Sequence, residues 1–125
     1  VTIYFISPPA LRPREEVLKI LDQKRVRYEF VDSVENVVEK LDVLYVTRLQ
    51  KERMNPEEYE RLKGSYIISY ELLRRFNRIP LIMHPLPRVW ELTVDVDVLP
   101  QAIYFEQARN GLYMRMALIK SILGV

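Results

Sequence analysis

The sequence predicts an α/β domain built on a parallel sheet with helices on both faces. Three observations carry this. Short runs of β-branched and aromatic residues alternate with segments of helical periodicity. Proline, glycine and capping residues punctuate the junctions between them. The run Val43-Leu44-Tyr45-Val46 is continuously apolar, as expected of a strand buried on both faces of a parallel sheet.

The elements follow in order. Val1-Thr2-Ile3-Tyr4-Phe5-Ile6 is a strand closed by Pro8-Pro9, residues that cannot continue a ladder. The chain enters this strand at Val1 without a preceding methionine, which is the expectation for a fragment or a processed product. Pro13 opens a helix that places Val17, Leu18 and Leu21 on one side. Tyr28 to Val31 is a second short strand. Asp32-Ser33-Val34-Glu35 has the form of a helix start, with Val34, Val37, Val38 and Leu41 on one face behind it. After the Val43–Val46 strand, Asn55-Pro56-Glu57-Glu58 combines a cap, a first-turn proline and acids at the positive end of a helix. Gly64 is placed to stop it. Ser69 to Phe76 reads as a short helix and Leu81-Ile82-Met83 as another core strand. Gln107 to Leu123 is the clearest helix, with Ala108, Leu112, Met116, Ile119 and Leu123 as its apolar stripe. There is no repeat, linker or low-complexity tract, so one domain over 1–125 is expected.

Composition narrows the classes of function. Apolar residues are 49% and charged residues 29% of the 125, the balance of an ordinary globular domain. The net charge is +2 and the signs are interleaved, so no basic stripe marks a nucleic-acid surface. Cysteine is absent, which excludes disulfides and thiolate chemistry and fits a reducing cytoplasm. No apolar run approaches the length of a bilayer span, and no secretory leader is expected. The glycines stand at 64, 111 and 124, leaving no glycine-rich phosphate cradle.

Chemistry in an open parallel sheet gathers outside the carboxyl ends of the strands. Two loops there are unusual. Thr47-Arg48-Leu49-Gln50-Lys51-Glu52-Arg53 follows one apolar strand, and His84-Pro85-Leu86-Pro87-Arg88 follows the other. If the strands are parallel neighbours, both loops open on one edge. Arg48 presents a planar fork that matches a carboxylate at two points, and Gln50 offers an amide to the same anion. Glu52, four residues after Arg48, is positioned to orient its guanidinium in a helical turn. A solvated loop with casual ion pairs is the alternative. Pro85 and Pro87 fix their own φ and lack an N–H, so the segment can aim backbone carbonyls at an amine. It can equally be a plain strand-ending turn. A cis Leu86–Pro87 bond suits so tight a turn.

His84 is the sole histidine. Standing between a strand and a proline, it reads as a hydrogen-bonded turn residue rather than a general base. Asp95 and Asp97 form an Asp-x-Asp pair within Thr93–Val98. Such a pair can hold a divalent metal, but alternating Val and Asp also describes a half-exposed strand or extended loop, and that reading is adopted. Tyr104, Phe105, Tyr113 and Met116 are assigned to the core.

Together these motifs resemble the aspartate carbamoyltransferase family. Asp42-Val-Leu-Tyr-Val-Thr-Arg48-Leu-Gln50-Lys-Glu52-Arg53 is similar to its aspartate-recognition loop, and His84-Pro-Leu-Pro-Arg88-Val89 to its second signature. Ala102 to Leu118 is similar to its C-terminal helix. The sister ornithine enzymes carry His-Cys-Leu-Pro at the second signature, so Pro85 argues for aspartate as acceptor.

The resemblance implies a three-layer Rossmann-like, aspartate-binding domain over 1–125, lacking a first strand upstream of Val1. It implies that Arg48 and Gln50 hold the side-chain carboxylate of L-aspartate, while the carbonyls of Pro85 and Leu86 take its amino hydrogens, with Leu86–Pro87 cis. Glu52 and Glu91 would position Arg48 and bridge the domains on closure, and Tyr59 would sit in a mobile loop. The α-amine attacks carbamoyl phosphate, with no metal and no cofactor. The groups that bind carbamoyl phosphate belong to an N-terminal half absent here, so no catalytic residue is assigned and the chain alone is expected to be inactive. Trp90 stands where the family commonly has an acid. A homotrimer, with regulatory chains in some members, is implied. The open sheet edge left at Val1 predicts a marginal or self-associating chain.

Two other readings remain. One is a non-catalytic α/β binding or regulatory module on the same fold. The other is a metal-dependent transferase using Asp95 and Asp97.

Overall fold

The computed structural model describes residues 1–49, 51 and 54–124, with Ala10 by its backbone alone. The chain groups into two compact units, Val1–Lys40 and Leu41–Val125. Each holds a two-stranded parallel sheet.

In the first unit, β1 (Thr2–Ile6) pairs parallel with β2 (Arg27–Val31), Thr2 opposite Arg27 and Ile6 opposite Val31. The crossover is α1 (Glu15–Gln23), with Glu15 and Glu16 in its first turn, where acids favour the positive end of the helix. The helix stops in a Schellman turn. Val26 N–H donates to Leu21 O at 2.9 Å and Arg25 N–H to Asp22 O at 2.9 Å, with Arg25 at φ +54°. That conformation usually calls for glycine. Phe5 and Phe30 stack across the strands at 5.5 Å between ring centroids, and the Arg12 guanidinium lies 4.5 Å from the Phe30 ring centre.

The helix expected from Ser33 does not form. Two 3-10 turns, Val34–Asn36 and Val38–Lys40, take its place. The Ser33 side chain makes no capping bond, and the adjacent β-branched Val37 and Val38 lose rotamer freedom in an α-helix. The burial expected of that face survives the change, since Val34, Val37, Val38 and Leu41 are all buried.

In the second unit, β3 (Val43–Tyr45) pairs parallel with β4 (Leu81–Met83), Val43 opposite Leu81 and Tyr45 opposite Met83. Backbone bonds extend this: Ile82 N–H donates to Gln101 O at 2.8 Å and Ile103 N–H to Ile82 O at 3.1 Å. Burial of β3 on both faces is not observed. Leu44 and Ile82 are buried while Val43, Tyr45 and Leu81 are exposed, because successive side chains alternate and only one face of the pair is covered.

Between the strands, α2 (Pro56–Leu62) starts where Asn55 Oδ1 accepts the Glu57 amide at 3.0 Å, and Gly64 follows at φ +82°. α3 (Tyr70–Leu73) is capped by Ser69, whose Oγ accepts the Leu72 amide at 3.1 Å. It is shorter than the helix expected over 69–76. The core of this unit is Leu44, Val46, Ile68, Leu73, Ile82, Leu92, Val96 and Tyr104.

The last helix, α4 (Tyr104–Leu123), begins three residues earlier than the sequence suggests and ends at Gly124, φ +70°. Tyr104 is wholly buried. The others assigned to the core are not: Phe105, Tyr113 and Met116 are exposed, as are Leu112, Ile119 and Leu123 of the apolar stripe. Length explains this. A helix of 20 residues runs about 30 Å, whereas three-residue strands span about 10 Å, so only the first turn of α4 reaches the core. Among the described residues, no helix is long and apolar enough to cross a membrane.

Candidate functional site

Because β3 and β4 run parallel in register, the chain leaves both at one edge. Val46 N–H donates to Met83 O at 2.9 Å, carrying the ladder one step past β3. The Thr47–Leu49 and His84–Arg88 segments therefore open side by side, as the two-loop argument requires.

Arg48 emerges here half-buried. Gln50 and Glu52, assigned to the carboxylate site from sequence, lie outside the described residues. Across the edge, Leu86–Pro87 is cis as expected, Leu86 has φ +50°, and Pro85 and Pro87 are exposed. A branched residue at positive φ is uncommon, and such a backbone persists where its surroundings hold it.

His84 supplies that hold. Its ring is 1% exposed, and its Nδ1 accepts the Leu86 amide hydrogen at 2.8 Å. A nitrogen that accepts carries no proton, so the proton of the neutral ring is on Nε2, which faces Glu91 Oε1 at 2.8 Å. Glu91 is 2% exposed. The same carboxylate takes the Val89 amide hydrogen at 3.2 and 3.3 Å to its two oxygens. The His84 amide in turn donates to Gln107 Oε1 at 3.0 Å, and Gln107 Nε2 donates to Tyr45 Oη at 3.1 Å. One carboxamide on the first turn of α4 thus ties the end of β3 to the start of the proline loop. Glu91's backbone is fixed as well, its carbonyl accepting from Ile68 N–H at 2.9 Å.

Arg88 closes the loop. Its guanidinium grips Asp97 at two points, with Nη2 donating to Oδ2 at 2.7 Å, and Nη1 also donates to Tyr104 Oη at 3.1 Å. Tyr104 donates its own hydroxyl hydrogen to Asp97. The Arg88 hydrogen bonds hold the Asp97 carboxyl below its ordinary range, and Asp97 pushes the guanidinium pKa further up. Burial, then the hydrogen bond to Asp97, raises the Tyr104 hydroxyl to about 12. Asp97 is therefore spent on an ion pair, and Asp95 on the hydroxyl of Thr93. Among the described residues no cluster of three or more His, Asp or Glu could hold a metal.

Tyr59 lies in α2, where Trp90 Nε1–H approaches its hydroxyl at 3.5 Å and Lys51 Nζ sits 5.7 Å from its ring centre. Sequence reasoning missed Gln107 and the Arg88–Asp97–Tyr104 cluster. The signal for the cluster was a polar residue recurring among valines. It marks a 3-10 turn, Val94–Val98, with Val96 buried, rather than the half-exposed strand or extended loop expected.

Known proteins place this architecture. Residues 1–122 match the family model described as aspartate/ornithine carbamoyltransferase, Asp/Orn binding domain. The aspartate carbamoyltransferase catalytic subunit of Hyperthermus butylicus is 54% identical over 124 residues, covering 98% of this chain and 39% of the relative. That of Clostridium acetobutylicum is 47% identical over 98% of this chain and 41% of its own length. The catalytic subunit of M. jannaschii aspartate transcarbamoylase superposes with a TM-score of 0.86 at 44% identity, over 98% of this chain and 41% of that one. Aspartate transcarbamoylase from Trypanosoma cruzi, in complex with carbamoyl phosphate and aspartate, gives 0.81 at 34% identity, over 94% and 40%. The chain spans about two fifths of the length of the curated relatives it matches. By the match over residues 1–122, the chain belongs to the aspartate/ornithine carbamoyltransferase family, of which it spans the Asp/Orn-binding domain.

Proposed function

We propose that this chain is the aspartate-binding half of an aspartate carbamoyltransferase catalytic chain, completed by a carbamoyl-phosphate-binding half outside these residues. The observation that carries the reading is the shared edge of β3 and β4, where the Arg48 loop opens beside a proline loop whose backbone is pinned from within. A paired set of donors and carbonyl acceptors suits a substrate bearing both a carboxylate and an amine.

In this reading Arg48 and Gln50 hold the side-chain carboxylate of L-aspartate, supported by Glu52, Glu91 and Tyr59. The carbonyls of Pro85 and Leu86 accept hydrogens of its amine, and Pro87 fixes the turn. The amine nitrogen attacks the carbonyl carbon of carbamoyl phosphate. A C–N bond forms, the C–O bond to phosphate breaks, and the surplus amine proton leaves with the phosphate. The products are N-carbamoyl-L-aspartate and phosphate, the step of de novo pyrimidine synthesis implied by the resemblance. The chain's part is positioning, and the reading invokes neither metal nor organic cofactor. Assembly as a homotrimer in the cytoplasm, in some cases with regulatory chains, completes the proposal.

The test is carbamoyl-aspartate formation by the chain alone and by the chain mixed with a carbamoyl-phosphate-binding half from a relative. Activity only in the mixture, abolished by Arg48→Ala, is the expected outcome. A silent mixture, with the chain shown folded, refutes the reading in favour of a non-catalytic α/β binding or regulatory module.

A further inference from the structure

We propose that His84, locked in one tautomer by Glu91, is the positioning residue that aims the Pro85 carbonyl at the acceptor amine. The proposal rests on the reading above and adds to it a residue that touches no substrate.

A planar peptide sets the constraint. The Pro85 carbonyl and the Leu86 amide belong to one trans unit, in which C=O and N–H point in opposite directions. The Leu86 N–H is directed at His84 Nδ1 at 2.8 Å. The Pro85 carbonyl must therefore point away from the imidazole. Proline supplies no N–H at 85 or 87, so the Leu86 amide is the only donor in the Pro85-Leu86-Pro87 segment by which the structure can set this angle.

For that to work, Nδ1 must stay an acceptor. Glu91 enforces it by facing Nε2 at 2.8 Å, since a carboxylate there favours a proton on Nε2 and leaves Nδ1 bare. Both partners are fixed: the His84 amide by Gln107 Oε1, and the Glu91 backbone by Ile68 N–H. Burial of the ring and carboxylate at 1% and 3% side-chain exposure keeps water from substituting for either. A ring that merely filled space would need no such chain of partners. The arrangement repeats the logic of a metal-bound or catalytic histidine oriented by a carboxylate, here applied to a backbone carbonyl.

The two jobs of the ring can be separated. Asn at 84 returns an acceptor close to the Nδ1 position, bonding the amide two residues on as in an Asx turn. Gln at 84 reaches toward Glu91 but withdraws that acceptor. In the active mixture, His84→Asn is expected to hold the aspartate KM within about threefold of the parent, whereas His84→Gln raises it about tenfold or more. The KM for carbamoyl phosphate is expected to be unchanged in both. Because His84 is the sole histidine, nitrogen NMR of the parent chain reads its tautomer directly, with a bare Nδ1 and a protonated Nε2 expected. Equal aspartate KM values for the Asn and Gln variants, or a proton on Nδ1, overturn the proposal. A silent parent mixture instead sinks the functional reading and the substrate named here, a result distinct from active variants that do not differ.

Discussion

Arg88 and Asp97, nine residues apart, meet as a two-pronged ion pair, with Nη2 donating to Oδ2 at 2.7 Å and Nη1 reaching Oδ1. The pair anchors the far end of the proline loop to the turn that precedes α4. Its members are partly covered, at 15% and 32% side-chain exposure, so solvent screens it less than an ordinary surface pair.

The pair predicts acid sensitivity. Hydrogen bonding to Arg88 lowers the Asp97 pKa from its ordinary 3.8. A depressed folded pKa contributes stability that is present above the ordinary value and lost as pH falls through the lower one. Asp97→Asn should cost about 1 kcal/mol at neutral pH, and the difference from the parent should vanish in strong acid. Urea unfolding at several pH values reads both.

At the alkaline end, Tyr104 takes over. Its hydroxyl is raised from 10.0 to about 12. A raised folded pKa gives stability that is complete below the ordinary value and lost as pH climbs toward the folded one. The chain should lose stability between about pH 10 and 12, and Tyr104→Phe should flatten that decline. Tyrosinate absorbance followed with far-ultraviolet circular dichroism distinguishes this from titration of the exposed tyrosines.

Arg25 offers a stabilising change. It closes α1 at φ +54°, a conformation that costs a side-chain-bearing residue about 1 kcal/mol. Arg25→Gly removes that cost while loosening the unfolded chain. The net expectation is a gain of about 0.5 kcal/mol, read as a higher urea midpoint. A loss would mean that the side chain is held by contacts worth more than the backbone strain.

The uncovered apolar side of α4 predicts association. Leu112, Met116, Ile119 and Ile122 are 54%, 56%, 57% and 74% exposed, a patch of the kind monomers rarely present to water. Sedimentation of the chain alone should show mass rising with concentration. A monomer across the range would count against this expectation.

Local chemistry was readable from sequence at several positions where a single residue decides the outcome, though not at Ser33. Asn55 caps the helix it was expected to cap, a short helix starts at Ser69, and Leu86–Pro87 is cis. The parallel pairing of β3 with β4, and with it the meeting of the two loops, followed from alternation of elements. Properties that depend on what stands opposite were not readable. The Val34–Leu41 face was buried as expected, but the chain turned through 3-10 geometry because Ser33 withheld its cap. The α4 stripe has helical spacing whether or not anything covers it. Gln107 was invisible for the same reason: a glutamine in a helix becomes a bridge only once β3 and β4 bring Tyr45 and His84 to either end of its carboxamide.

Tyr104 pins one end of α4 and nothing else in the described chain buries the other. Such a helix does not open all at once. Amides near Tyr104 can exchange their hydrogens only when the core itself opens, whereas those toward Lys120 exchange whenever the last turns fray. Lifetimes along this single helix should therefore stretch from fractions of a second to the slowest event in the molecule. The gradient is a clock written along one element, and its slow end lies a single turn from the glutamine that holds the proline loop.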